Sequence, residues 1–204
     1  MEEAPLHEQA LSPPPTTLST DIRQQTSLRV NLGKGNIMKL FSANIEDFRS
    51  LYISNLKKAL DMEQKITKAL PDMIENSTNS ELANAFTTHL QETRGHVAKL
   101  EELLTRHIGE PATETCKVIN GLTTEASDTI KDVTEPYIRD IALIGGAQQV
   151  EHHEIAVYGT LRTWAELLGL DEDAAILESI EEEEENADEL LTSIAEQVNV
   201  AAAV

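Results

Sequence analysis

Four long stretches of the chain repeat apolar residues at the three-and-four spacing of an amphipathic helix, about 100° per residue on a helical wheel. The first runs from about Asn44 to Ile74. Tyr52, Leu56, Ala59, Leu60, Ile66, Leu70 and Ile74 share one broad face, opposite Lys57, Lys58, Asp61, Lys65 and Lys68. Asn44 stands where an N-cap is expected, with Glu46 and Asp47 in the first turn. Pro71 is expected to kink or interrupt this helix near its end. The second helix begins after Ser80 and runs to about His107, with Leu82, Phe86, His89, Thr93, Val97, Leu100 and Leu104 as its stripe; Gly109 and Pro111 stop it. The third starts near Pro136 and runs to Leu168, with Gly169 ending it and Ile144, Ala147, Ile155, Tyr158, Leu161 and Ala165 facing inward. The fourth, capped by Asp171, continues to about Val198 on Leu177, Ile180, Ala187, Leu191, Ala195 and Val198.

The connections refine this pattern. Short turns join the first helix to the second and the third to the fourth, which makes each pair antiparallel neighbours. Residues 108–135 form a much longer link, with a short extra helix expected near Lys117–Thr129. The expected fold is therefore all-α: a ferritin-like four-helix bundle of two antiparallel hairpins joined by a long crossover. Residues 1–37 carry Pro5, the run Pro13-Pro14-Pro15, clustered Ser and Thr, and Gly33-Lys34-Gly35, with no helical period. They read as a disordered or extended arm, and 38–204 as the bundle domain.

Acidic residues interrupt the apolar faces. Glu63 lies within about 60° of nearly every apolar residue of the first stripe, so it points into the core. Glu151 and Glu154 fall inside the third stripe. In the run Glu181 to Glu185, only Glu184 sits at the centre of the fourth stripe; Asp188 lies about 40° away, and Glu182, Glu183 and Glu185 point outward or to the flanks. On the second helix Glu92 is at one edge, His96 lies between it and the centre, and His89 is nearer the centre than either.

An unpaired ionised acid in a core costs several kcal/mol or takes up a proton. Any one of these acids could be a salt-bridge partner. Acids from several helices converging on one core, with one or two imidazoles, instead suit two divalent cations bridged by carboxylates. His152 and His153 read as outer partners or surface groups, and Tyr158, one turn past Glu154, as core packing or a nearby donor.

Composition adds exclusions. The 204 residues are 40% apolar, 25% charged and only 3% aromatic, which favours helix over sheet. A net charge of -20 attracts cations and argues against binding nucleic acid or an anionic membrane surface. No apolar run is long enough to span a bilayer. Cys116 is the one cysteine, so a disulfide framework within the chain is excluded. Met1, Glu2, Glu3 and Ala4 lack the charge of a secretory signal, and a cytoplasmic location is expected.

Several segments resemble the ferritin-like bacterial stress proteins of the YciE/YciF type, over roughly residues 38–200. These are Ala59-Leu60-Asp61-Met62-Glu63-Gln64-Lys65-Ile66, Lys68-Ala69-Leu70-Pro71, His89-Leu90-Gln91-Glu92-Thr93 and, most specifically, Val150-Glu151-His152-His153-Glu154-Ile155-Ala156-Val157-Tyr158-Gly159-Thr160-Leu161. Cys116-Lys117 and Gly121-Leu122 add to the likeness. The resemblance implies a homodimer with a rubrerythrin-like di-metal site whose ligand candidates are Glu63, Glu92, Glu151, Glu154, Glu184 and Asp188. His96 joins them as a candidate ligand, and His89, His152 and Tyr158 as alternative ligands or outer partners. Iron, two ions per bundle, is the expected metal. The chain departs from the widespread Glu-x-x-His pattern, which occurs nowhere in it, and the carboxylate-rich donor set also admits manganese. A di-iron protein reacting with oxygen or peroxide is one expected function. A metal-stabilised structural or interaction protein is the alternative, and an iron-storing shell a weaker third.

Overall fold

The computed structural model describes residues 45–202, so the expected arm at 1–37 and the cap at Asn44 lie outside the described residues. It holds five helices: α1 (Phe48–Asn76), α2 (Ser80–Ile108), α3 (Lys117–Asp132), α4 (Pro136–Leu167) and α5 (Asp171–Ala202). Among the described residues there is no strand, and no helix is long and apolar enough to cross a membrane.

The helix ends follow local chemistry. Asp47, expected inside the first turn, is itself the N-cap of α1, its carboxylate accepting the Ser50 N–H at 2.7 Å. Pro71 does not end α1, which runs on to Asn76. Proline removes a single ladder N–H, and the buried residues on either side of it, Leu70 and Met73, hold the helix to the core. Asn79 caps α2 by accepting the N–H groups of Glu81 and Leu82. Gly109 ends α2 at φ 87°, and Gly169 turns the chain between α4 and α5 at φ 69°, both in the left-handed region that favours glycine. Asp171 is the first residue of α5 and lies in the turn that its negative charge favours, one place later than its expected role as cap.

α1 packs along α2 and α4 along α5, while α1 also meets α4 and α2 meets α5. The Arg49–His107 contact at one end makes α1 and α2 antiparallel; Gln148–Thr192 and Arg162–Glu181 do the same for α4 and α5. The link from Gly109 to Glu135 travels the length of the helices. It is fastened to α1 by Asp61, which accepts the Cys116 N–H at 2.7 Å, and by Ser54, whose hydroxyl donates to Glu114. Its helix α3 lies on α1 and α4, turning Ile119, Leu122, Ala126 and Ile130 inward at helical spacing.

Two buried acids join the pairs at their ends. Asp140 of α4 accepts the N–H groups of Thr78 and Asn79 at 2.8 and 2.9 Å, in the turn between α1 and α2. At the far end, Asp173 of α5 accepts the Tyr52 hydroxyl at 3.0 Å and the Arg106 guanidinium at 2.8 Å, and also bonds the His107 ring.

Candidate metal centre

Between those ends, at mid-length of the four long helices, the core becomes polar. Glu63, His96, Glu154 and Glu184 are completely buried, and His89 and Glu151 nearly so. α2 contributes two imidazoles because residues seven apart return to within about 20° on a helix, two turns further along. His89 and His96 therefore face the same side at different depths.

The side chains gather into two groups. In the first, His89 Nε2 lies 3.5 Å from Glu151 Oε1 and 4.0 Å from Glu154 Oε2, and His89 Nδ1 lies 3.7 Å from Glu184 Oε2. In the second, His96 Nδ1 lies 3.0 Å from Glu184 Oε1 and 3.7 Å from Glu63 Oε2. Within each group, one donor atom per residue can be chosen so that all lie within 4.8 Å of one another. Glu184 belongs to both groups and offers one oxygen toward each imidazole.

None of these approaches has hydrogen-bond geometry. Ten buried side-chain atoms have no hydrogen-bond partner among the described residues: Glu63 Oε2, both nitrogens of His89, His96 Nδ1, Glu151 Oε2, and both oxygens of Glu154 and of Glu184, with Asp188 Oδ1. Every one of them belongs to the residues singled out from the helical wheels. Buried polar atoms are otherwise almost always paired, so orphans confined to one cluster point to a missing partner there.

The remaining candidates lie around these groups. Tyr158 is fully buried and donates its hydroxyl to Glu63 Oε1, leaving Oε2 as the free donor atom. Glu92 is half-buried and belongs to neither group. It lines a cavity of about 100 Å³ that opens between α2 and α5 and reaches His89 and Glu151. Asp188 is half-buried beside Glu151, with the His152 Nδ1 at 3.2 Å from it. His152 is exposed and its Nδ1 donates to the Gln148 carbonyl, so it stands outside both groups. His153 turns toward Cys116, 3.7 Å from the sulfur. Glu183, expected on a flank, carries a specific role: its carboxylate accepts from His96 Nε2 at 2.6 Å and also binds Lys99. This bond aims the other ring nitrogen, Nδ1, at the cluster. No periodicity within one helix reveals such a pair, because it depends on how α5 is rotated against α2.

Electrostatics agree with the geometry. Burial, then the charges of neighbouring acids with Glu184 first among them, pushes Glu151 and Glu154 well above the usual carboxylate range. Burial and Glu63 raise the Tyr158 phenol, which keeps its proton and stays a donor. Burial opposes protonation of His96, but the carboxylates of Glu184 and Glu63 overcome it and raise the ring to about 11. The metal-free cluster thus holds protons that a cation would displace.

The donor set fits metal. Donors about 2.0–2.2 Å from an ion stand roughly 3 Å apart when adjacent and about 4.2 Å apart when opposite, and the observed separations span this range. Carboxylate oxygens with few imidazoles and no thiolate suit a hard or borderline cation better than a thiolate-preferring one.

Comparison with known proteins places the chain. Protein YciF of Escherichia coli (strain K12) is 35% identical over 153 residues, spanning 74% of this chain and 92% of its own. The crystal structure of the E. coli stress protein YciF matches with a TM-score of 0.72 at 34% identity, covering 75% of this chain and 97% of that one. YcfI of Rhodopseudomonas palustris, whose description proposes a structural role, matches equally well at TM-score 0.72 and 38% identity, over 75% of this chain and 98% of its own. Residues 47–203 match the family described as "Domain of unknown function (DUF892)", and the chain belongs to that YciF-containing family.

Proposed function

We propose that α1/α2 and α4/α5 are the two hairpins of a ferritin-like four-helix bundle that holds two metal ions bridged by Glu184. The observation that carries this reading is that nine of the ten unpartnered buried atoms belong to two His/Glu groups sharing one carboxylate, the tenth being that of Asp188 beside Glu151. One ion has His89, Glu151, Glu154 and Glu184 as its donors; the other has Glu63, His96 and Glu184. Iron is the first choice and manganese the second. A pair of redox-active ions supplies electrons to dioxygen or peroxide when bound, in keeping with the name "stress protein" given to the E. coli relative. The chain's own residues bind and orient. Tyr158 fixes Glu63 through one oxygen, Glu183 fixes the His96 ring, and Glu92 draws cations at the mouth of the α2–α5 cavity. A homodimer belongs to the same proposal and is read by light scattering.

Elemental analysis of full-length protein purified without chelator, followed by titration with iron(II) and manganese(II), tests the metal. Two ions per chain are expected. A chain that carries none and takes up none defeats the proposal.

The structural role proposed for the R. palustris relative favours a second reading, in which the ions only hold the helices together. Absorbance after mixing the iron(II)-loaded protein with oxygen or peroxide separates the two. Oxidation no faster than that of free iron leaves the structural reading standing.

A further inference from the structure

His89 and Glu151 face a second cavity, on the side of the cluster covered by α3. It measures about 30 Å³, and apart from those two residues its wall is almost wholly apolar, with Ile66, Leu70, Phe86, Leu122 and Ala126 prominent. The one hydroxyl on the wall, that of Thr123, already donates to the Ile119 carbonyl. A water molecule needs about 10–15 Å³ and two to four polar partners. This cavity has the room, but its only unpaired polar atoms are those of His89 and Glu151, which the proposed ion engages. The α2–α5 cavity on the other side is more polar, with Glu92, Glu183 and Asn186 in its wall beside Phe86 and Leu191. His89 and Glu151 line both, so the cluster has one polar approach and one apolar approach.

We propose that the α3-covered cavity binds a small apolar molecule beside His89 and Glu151, and that dioxygen is its physiological occupant. The assignment of dioxygen rests on the di-metal reading above; the apolar character of the cavity does not. Hydrogen peroxide, with hydrogen-bonding groups at both ends, finds no partners on this wall beyond the proposed ligands His89 and Glu151, and is left to the more polar side. The inference therefore chooses between the two oxidants.

Xenon is the probe, because it enters dry apolar cavities without needing hydrogen bonds. Crystals of the full-length, metal-free protein are pressurised with xenon, alongside the variants Ala126→Leu and Ala69→Leu, each of which adds side-chain volume to the wall. A xenon site against Phe86 and Leu122 in the parent, lost in both variants, is expected. Metal content of the variants should match the parent. In iron(II)-loaded protein, the ratio of the dioxygen rate to the hydrogen peroxide rate should fall by about tenfold in each variant. Ordered water in the cavity, no xenon there, or an unchanged rate ratio overturns the proposal. If the parent takes up no metal, the di-metal reading fails by itself, while the xenon experiment still decides whether the cavity is an apolar binding site.

Discussion

Replacing Glu154 by leucine should make the metal-free protein more stable and the metal-loaded protein less so. Glu154 is fully buried, both its oxygens lack partners, and burial with its acidic neighbours raises its pKa well above the ordinary range. A buried, unsatisfied polar group costs about 1–3 kcal/mol, and apolar replacements of similar volume at such positions are often stabilising. A gain of about 2 kcal/mol, at about 2–4 °C per kcal/mol for a domain of this size, raises the metal-free melting temperature by roughly 4–8 °C. Metal reverses the order. A ligand at one hundred times its Kd stabilises the parent by about 2.7 kcal/mol, and the variant, short of a donor, forgoes most of that. Thermal melts in chelator and in excess manganese(II) should therefore rank the two proteins oppositely. Glu154→Gln, which keeps shape but not charge, should lose the metal response as well. A leucine variant that melts lower than the parent in chelator, or that gains as much from metal, would show that Glu154 is not an unsatisfied metal donor.

The same cluster sets a pH dependence. Glu151 and Glu154 bind their protons more tightly in the folded metal-free protein than in the unfolded chain. That contribution to stability is present below the ordinary carboxylate pKa and is lost as pH rises through the raised folded values. Bound metal holds both groups deprotonated, so the stability difference between loaded and metal-free protein should widen from pH 5 to 8, by up to about 1.4 kcal/mol per pH unit for each proton displaced. A difference that stays flat across paired melts contradicts this. Glu183→Ala should weaken metal binding about 10–100-fold without changing the number of ions bound at saturation, measured by competition with a chelating indicator. An unchanged affinity would remove Glu183 from any role in aiming His96. Asp173→Ala should cost about 3 kcal/mol, since it leaves the buried Tyr52 hydroxyl without a partner and takes one partner each from Arg106 and His107. Denaturant unfolding reads that loss, and the metal content should remain that of the parent.

Much of this architecture was legible in the helical wheels because burial imposes a strict period on each helix. Glu184 stands at the centre of its stripe and Glu63, Glu151 and Glu154 inside theirs, and no rotation compatible with the apolar residues turns them outward. The two histidines of α2 posed an apparent choice between alternatives. In the fold both are buried, in different groups, because two turns of helix separate them along the axis. Glu92, at the edge of its stripe, became a cavity-wall residue, as edge positions do when the neighbouring helix does not close over them. Glu183 was illegible for a different reason. Its partner lies on another helix, and side-by-side contacts depend on the relative rotation of two helices, which no single period encodes. α1 runs on past Pro71 because the packing of the turns on either side outweighs the lost ladder hydrogen bond.

Without cations the acids of the two clusters escape mutual repulsion only by holding protons, and wherever they ionise that repulsion acts across the seam between the two helix pairs. Asp140 and Asp173 sit at the opposite ends of the same seam. The assembly resembles a beam pinned at both supports with an outward load at midspan: it can bow, but it cannot come apart. The metal-free protein should thus keep its donors within reach of one another, so that capturing an ion requires the release of protons and no assembly of helices.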